Sequence, residues 1–434
     1  MNTLFVKLAT ILFLTLLLMI PLQMISSTSE DRQHYKNVAI SAIANSIGGS
    51  QQIKGIILVV PYLTKSEKNV DLANSTKLQE VWKNKYFLPE TISIQNTLYP
   101  KELYKGIYKV PTYSAIVAAQ GYFDISELFD PTDNMLEYKD PYLILALDNI
   151  IGISPVMHLK VNGKDVPIMP GTQSPIFPYG THANFKIEYK KEQKISFDYN
   201  FELQGVEKLS FTPIGKYTEI SVESLWPNPS FRGKFAPTNR QITKEGFAAQ
   251  WQISSLNSNI LENFENCIYN DKCQDFNNLN SGVSLYQGID IYQEVTRSLK
   301  YCILFIILTF IALLLVEILG PITIHPVHYT LVGLSLVIFY LLLLSLSEHM
   351  SFMHSYIIAS ISCAGLLGYY TTFVLHSYKR GLTLALSLVG LYIMLYCIIL
   401  SQDHALLMGT LLLFLMLASI MILTRKVDWY KIQK

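Results

Sequence analysis

Six windows of this sequence are almost free of charge, and they restrict what the chain can become more than any other feature. Leu8–Ile25, Tyr301–Leu319, Tyr329–Leu346, Tyr356–Leu375, Leu382–Leu400 and Ala405–Leu423 are 18, 19, 18, 20, 19 and 19 residues long. Their 113 residues hold one acidic or basic side chain, Glu317. A bilayer core takes about 20 apolar residues per helix, and backbone groups in lipid must be satisfied within the segment or a closed barrel. The windows therefore predict a membrane α-helical bundle with one N-terminal span and five C-terminal spans. A soluble enzyme is excluded. Only 15% of the 434 residues are charged, against roughly 25% in a soluble domain, and the net charge of +1 gives no basic field for a nucleic-acid partner.

The expected organisation is a signal-anchor helix over 1–25, a soluble domain over 26–300, a five-helix bundle over 301–423 and a cytoplasmic tail over 424–434. The first apolar run is longer than the 7–15 residues of a cleavable leader; Ser26, Ser27 and Thr28 follow it but no clear small-x-small site precedes them, so it reads as an uncleaved anchor rather than a cleaved signal peptide. The inserted segment carries 27 Lys and Arg against 29 Asp and Glu, which suits a soluble domain.

Orientation follows from the basic residues beside the spans. With the N-terminus inside, the inner segments hold Lys7, Lys379, Arg380, Arg425, Lys426, Lys431 and Lys434, and the short outer loops hold no Lys or Arg. Both termini are thus expected in the cytoplasm and the large domain in the periplasm, with Trp429 and Tyr430 as an interfacial aromatic anchor.

The inserted domain reads as mainly β. Phe185, Ile187 and Tyr189 alternate with charged residues, as do Ile195, Phe197, Tyr199, Phe201 and Leu203 with polar ones, and Ile220, Val222 and Leu225 less strictly. Asn162-Gly163 between two short strand patterns marks a type I′ hairpin. Tyr35, Val38, Ala39, Ala42, Ile43 and Ile47 recur at helical spacing before Gly48-Gly49, which predicts that the first span continues outward as an amphipathic helix. Ile289–Lys300 is expected to lead into the second span in the same way.

Longer blocks carry a resemblance: Trp226-Pro227-Asn228-Pro229-Ser230-Phe231, Gly233–Pro237 and Glu245–Phe247 with Ala249 and Trp251; RSLKYCILFIILTFIALLLVE over 297–317; YTLVGLSLVIFYLLLLSLSEH over 329–349; and Asp428-Trp429-Tyr430. The chain resembles the CreD family of bacterial inner-membrane proteins over essentially its whole length. The resemblance implies a role in cell-envelope integrity and stress response, with links to a two-component system and to colicin tolerance. It supplies no catalytic residue.

Candidate sites must come from the residues themselves. Cys267 and Cys273, in an oxidising compartment and without nearby His ligands, are expected to form a disulfide. Cys302, Cys363 and Cys397 lie in spans, where Cys is an apolar packer. Glu348, His349 and His354 in one outer loop, with Asp403 and His404 in the next, could form a metal or proton site; capping of helix ends is the plainer reading and the one favoured. Glu317, near the end of its span, is expected to reach solvent, with His325 or His328 as partners. Ser360, Ala364 and Gly368 suit close helix packing. Trp226, Pro227, Phe231 and Phe235, with Pro229 and Pro237, form a stiff aromatic segment read as non-strand, either a contact surface or a corner packed on the sheet.

No nucleotide-binding, hydrolase, zincin or C-x-x-C motif is present. The expected activity is therefore non-enzymatic, without catalytic residues, metal or cofactor. The expected partners are the lipid bilayer and envelope components or another membrane or periplasmic protein. The alternatives are a transporter or lipid-handling protein with a cavity lined by Tyr340, Tyr369, Tyr370 and Glu317, and a membrane enzyme using the Glu348, His349, Asp403, His404 face.

Overall fold

Each apolar window forms a helix, as segments with no polar backbone partners in lipid must. The computed structural model describes residues 3–68, 77–129, 135–190, 193–285, 290–319, 323–401 and 405–425. Its helices are α1 (Thr3–Ile47), α2 (Ser255–Ser258), α3 (Ile260–Asn270), α4 (Gln274–Asn278), α5 (Ile291–Lys300), α6 (Cys302–Leu319), α7 (Pro326–Ser347), α8 (Phe352–Val374), α9 (Tyr378–Leu400) and α10 (Ala405–Thr424). Asp403 and His404, together with Trp429 and Tyr430, lie outside the described residues.

Four described helices are long and apolar enough to cross a membrane, or five if α5 and α6, bent by 45°, count as one span; Leu407–Ile422 is a shorter apolar helix. The two helices differ in composition on either side of the bend. Gln293, Glu294, Arg297 and Lys300 make α5 amphipathic, whereas α6 carries only Glu317. α7 begins with Pro326 at its first turn and with the His325 side chain accepting from the Val327 amide, an arrangement that uses a proline where its missing N–H costs nothing.

The first span does continue as helix beyond its apolar run. α1 runs unbroken through Pro21 for 45 residues and ends at Gly48 and Gly49, both at positive φ. Ala39 and Ile43 are buried as the amphipathic pattern requires, whereas Tyr35 and Val38 are exposed. The chain divides into two compact units, Met1–Lys36 with Ile289–Lys434, and Asn37–Gly288. These limits differ from 25/26 and 300/301 because α1 and α5 carry helix beyond the apolar composition.

The Asn37–Gly288 unit is built on two sheets. One joins, in spatial order, Pro229–Gly233, Ser281–Leu285, Lys208–Phe211, Gln51–Lys68, Tyr142–Leu147, Gly180–Asn184 and Met169–Pro170, and Lys77–Phe87 and Met135–Tyr138 also pair with Gln51–Lys68. The other joins Asn239–Ile242, Phe247–Ser254, Tyr217–Ser224, Thr91–Lys105, Tyr108–Asp124, Lys194–Val206, Ile153–Val161 and Lys164–Asp165. Two pairings are parallel, Gln51↔Leu209 and Thr91↔Tyr217. Both sheets contribute to one core, with Ile57 and Leu145 from the first and Val117, Leu203 and Trp251 from the second.

The alternation over Ile195–Leu203 buries all five apolar residues. Asn162 and Gly163 both have positive φ, as a type I′ turn demands, and Lys160 pairs with Asp165 across it. Two expectations fail. Phe185–Lys190 is not a strand: Gly180–Asn184 stops pairing where the neighbouring chain reaches Pro141, which accepts from the Phe185 amide but has no N–H to return. The segment read as non-strand contains a strand, Pro229–Gly233, paired with Ser281–Leu285 at the sheet edge, where its proline is tolerated.

Candidate functional site

In the unit formed by Met1–Lys36 and Ile289–Lys434, polar side chains gather at the two ends of the helices. At one end, Glu317 is buried, contrary to the expectation of a solvated residue. The Lys7 ammonium, from the first turns of α1, pairs with Glu317 Oε1. The Ile324 amide donates to the same oxygen at 3.0 Å and the Tyr329 hydroxyl to Oε2 at 3.1 Å. An acid in an apolar bundle requires such compensation. The expected histidine partners are engaged elsewhere. His325 caps α7, and His328 Nδ1 lies 2.6 Å from the Tyr370 hydroxyl. The signal for the true partner was in the sequence: Lys7 is the one basic residue before the first span, and it flanks the same end of the bundle as Glu317.

At the other end, Arg32 Nε lies 3.4 Å from Glu348 Oε1, to which the Tyr292 hydroxyl also donates at 3.3 Å. Lys36 pairs with Asp290 at 3.1 Å, and the buried Ser29 hydroxyl is 3.3 Å from that of Thr296. His354 Nδ1 lies 2.6 Å from Ser351 Oγ within its own first turn. No three His, Cys, Asp or Glu side chains among the described residues come together as a metal site, His349 included. Sequence reasoning missed Arg32, Lys36 and Asp290, because nothing in the spacing of α1 points to partners more than 250 residues away.

Beside this belt, in the amphipathic α5 outside the apolar span, Glu294 is buried. Burial pushes its carboxyl up to about 7, opposed by Arg297 and assisted by Asp290. Arg297 Nη1 is also buried, with no hydrogen-bond partner among the described residues. A folded-state value above the ordinary 4.5 means that the folded protein holds a proton the unfolded chain has lost. That contribution to stability is complete below about pH 4.5 and is lost as pH rises towards about 7. Glu294→Gln should flatten this part of the stability profile, read by thermal unfolding in detergent at about pH 5 and about pH 8; an unchanged slope would show that Glu294 is solvated.

The four residues expected around a mid-bundle cavity do not converge. Tyr340 is fully buried, Tyr369 is 69% exposed, Tyr370 contacts His328, and Glu317 contacts Lys7. Two grooves between α8 and α9 have volumes of about 140 and 240 Å³, below the ~300–1,000 Å³ of ligand pockets. Close packing accounts for the small residues: a Cβ on Gly368 would sit 2.7 Å from Ala385 Cβ. Likewise one on Gly333 would sit 2.3 Å from Leu18 Cδ1, so the glycine admits α1 against α7.

In the other unit the proposed contact segment is packed inward. Phe231 meets Phe247 and Trp251 edge-on at 5.7 and 5.8 Å. Trp251 Nε1 donates to the Phe235 carbonyl at 3.1 Å, and the Phe235 amide donates to Ser281 Oγ at 3.0 Å. Trp226 and Phe235 also pack against the core, while Pro227 is exposed. The corner reading therefore accounts for the aromatics.

Cys267, at the end of α3, and Cys273 are joined, with Cα atoms 4.1 Å apart. Cys302 and Cys363 are buried free thiols, and Cys397 is exposed. Opening so short a loop removes about 2 kcal/mol. Non-reduced peptide mapping should recover the Cys267–Cys273 link, and two alkylatable thiols would refute it.

Residues 3–430 match the family described as "Inner membrane protein CreD". Inner membrane protein CreD of Escherichia coli (strain K12) is 33% identical over 432 residues, covering 99% of this chain and 94% of that one. Likeness to solved structures is slight. An M1 zinc metallopeptidase from Deinococcus radiodurans bound to substrate has 9% identity and a TM-score of 0.23, covering 38% of this chain and 39% of that one. Yeast LTA4 hydrolase with bestatin has 8% identity and a TM-score of 0.19, covering 39% and 27%. Likeness at this level carries no argument for fold or activity.

Proposed function

Because this chain belongs to the CreD family of inner membrane proteins, we propose that it acts there as a six-span protein, with both termini in the cytoplasm and a periplasmic β-domain supporting cell-envelope integrity through non-enzymatic contacts. The observation that carries this reading is the use made of charge in the helical unit: Glu317 and Glu348 are each held by a basic side chain of α1 and a tyrosine hydroxyl. These groups hold helices together. Seven basic residues on one set of flanking segments and none on the short loops of the other support the orientation.

Reporter fusions after Gly163 and after Lys434 test the orientation and should report opposite sides of the membrane; the same side for both would overturn it. A strain lacking the protein should become more sensitive to envelope-directed stress. Both the parent chain and His349→Ala should restore tolerance. Stoichiometric metal in the purified protein, lost together with complementation in His349→Ala, would replace this reading by a metal-dependent one.

A further inference from the structure

The hairpin formed by Thr91–Lys105 and Tyr108–Asp124 stays fully paired to its end, at Lys105↔Tyr108, and closes on Gly106-Ile107. Its base is held, since Val110 is buried with Ile43 and Val206. Beyond Val110 the ribbon is open among the described residues: Leu103 is 41%, Tyr104 60% and Ile107 46% exposed. A Cβ on Gly106 would meet no atom within 4 Å. Two-stranded ribbons in water are marginal, and their turns favour Asn-Gly. The same unit obeys that preference at Asn162-Gly163, between Lys160 and Lys164. At the Gly106 tip it places leucine, tyrosine and isoleucine instead.

The surrounding charge is basic, with Lys101, Lys105 and Lys109 against Glu102. The tip is also stiff: Lys109 pairs with Glu102 at 3.0 Å and its ammonium lies 5.5 Å from the centre of the Tyr104 ring. Lysines flanking tyrosine and aliphatic side chains match the bilayer interface, where rings sit among headgroups, methyl groups reach the acyl boundary and ammoniums meet phosphate. The unpaired basic excess selects anionic headgroups. We propose that the tip between Lys101 and Lys109 is an interfacial anchor that seats the β-domain on an anionic phospholipid surface. The inference concerns lipid chemistry and holds for either leaflet, so it stands or falls separately from the orientation proposed above.

The test uses the full-length protein reconstituted in vesicles of phosphatidylcholine, with or without phosphatidylglycerol, carrying brominated acyl chains. Tryptophan is introduced singly as Ile107→Trp and, independently, as Leu103→Trp, and emission is compared with that of the parent. With phosphatidylglycerol the added emission should be blue-shifted and quenched by bromine. Both effects should weaken in phosphatidylcholine alone, and with Lys101→Gln and Lys105→Gln combined. Water-like emission in both variants would overturn the proposal. So would shielded emission that bromine does not quench, which would assign the tip to a protein partner. Equal quenching in both lipid mixtures would overturn the anionic selectivity.

Discussion

Lys7→Met is expected to destabilise the helical unit by about 2 kcal/mol. The substitution leaves the Glu317 carboxylate buried, with the Ile324 amide and the Tyr329 hydroxyl its remaining partners among the described residues. Removing one member of a fully buried pair costs ~3–5 kcal/mol; the Lys7 side chain is 37% exposed, so solvent screening lowers the figure. Adding Glu317→Gln should recover most of the loss, because the amide oxygen can keep the Ile324 bond, the amide NH2 can donate to the Tyr329 hydroxyl oxygen, and no charge is left to compensate. Thermal unfolding in detergent micelles measures both effects. A single variant that unfolds at the parent temperature would return Glu317 to the solvated position expected from its place near the end of the span.

The second large effect is expected at Trp251→Ala. The indole is 1% exposed, donates to the Phe235 carbonyl and packs against Phe231. Its removal empties a large volume between the strand Phe247–Ser254 and the segment crossing it, and orphans a carbonyl. A loss of about 3–5 kcal/mol is expected, read as earlier chemical unfolding of the full chain and greater protease sensitivity between residues 226 and 237. Unaltered stability would restore that segment as a free contact surface.

Much of this architecture was legible in the sequence because its causes are local. Charge-free windows have one fold available in lipid, Asn-Gly has one favoured turn between strands, and two glycines end a helix. What was hidden depends on partners distant in sequence. Phe185–Lys190 has strand periodicity, but a strand also needs a neighbour with free N–H groups, and Pro141 withholds one. Trp226–Phe235 is rich in proline, which spoke against a strand until Ser281–Leu285 supplied an edge to pair with. Glu317 and Lys7 stand 310 residues apart, and only the assembled helices bring them together. The pairs of Arg32 and Lys36 at the other end of the helices were hidden for the same reason.

The sheet order also bears on how the chain can be made. Gln51–Lys68, the central strand of its sheet, pairs in parallel with Lys208–Phe211, and Ser281–Leu285 then joins that strand to the edge strand Pro229–Gly233. A chain emerging from its N-terminus therefore presents Gln51–Ile53 long before their parallel mate exists, and high contact order of this kind makes closure slow. During that interval an unsatisfied strand edge is a template for wrong associations. The domain can therefore complete this sheet only after Leu285 has been made, whatever the stability of the final fold.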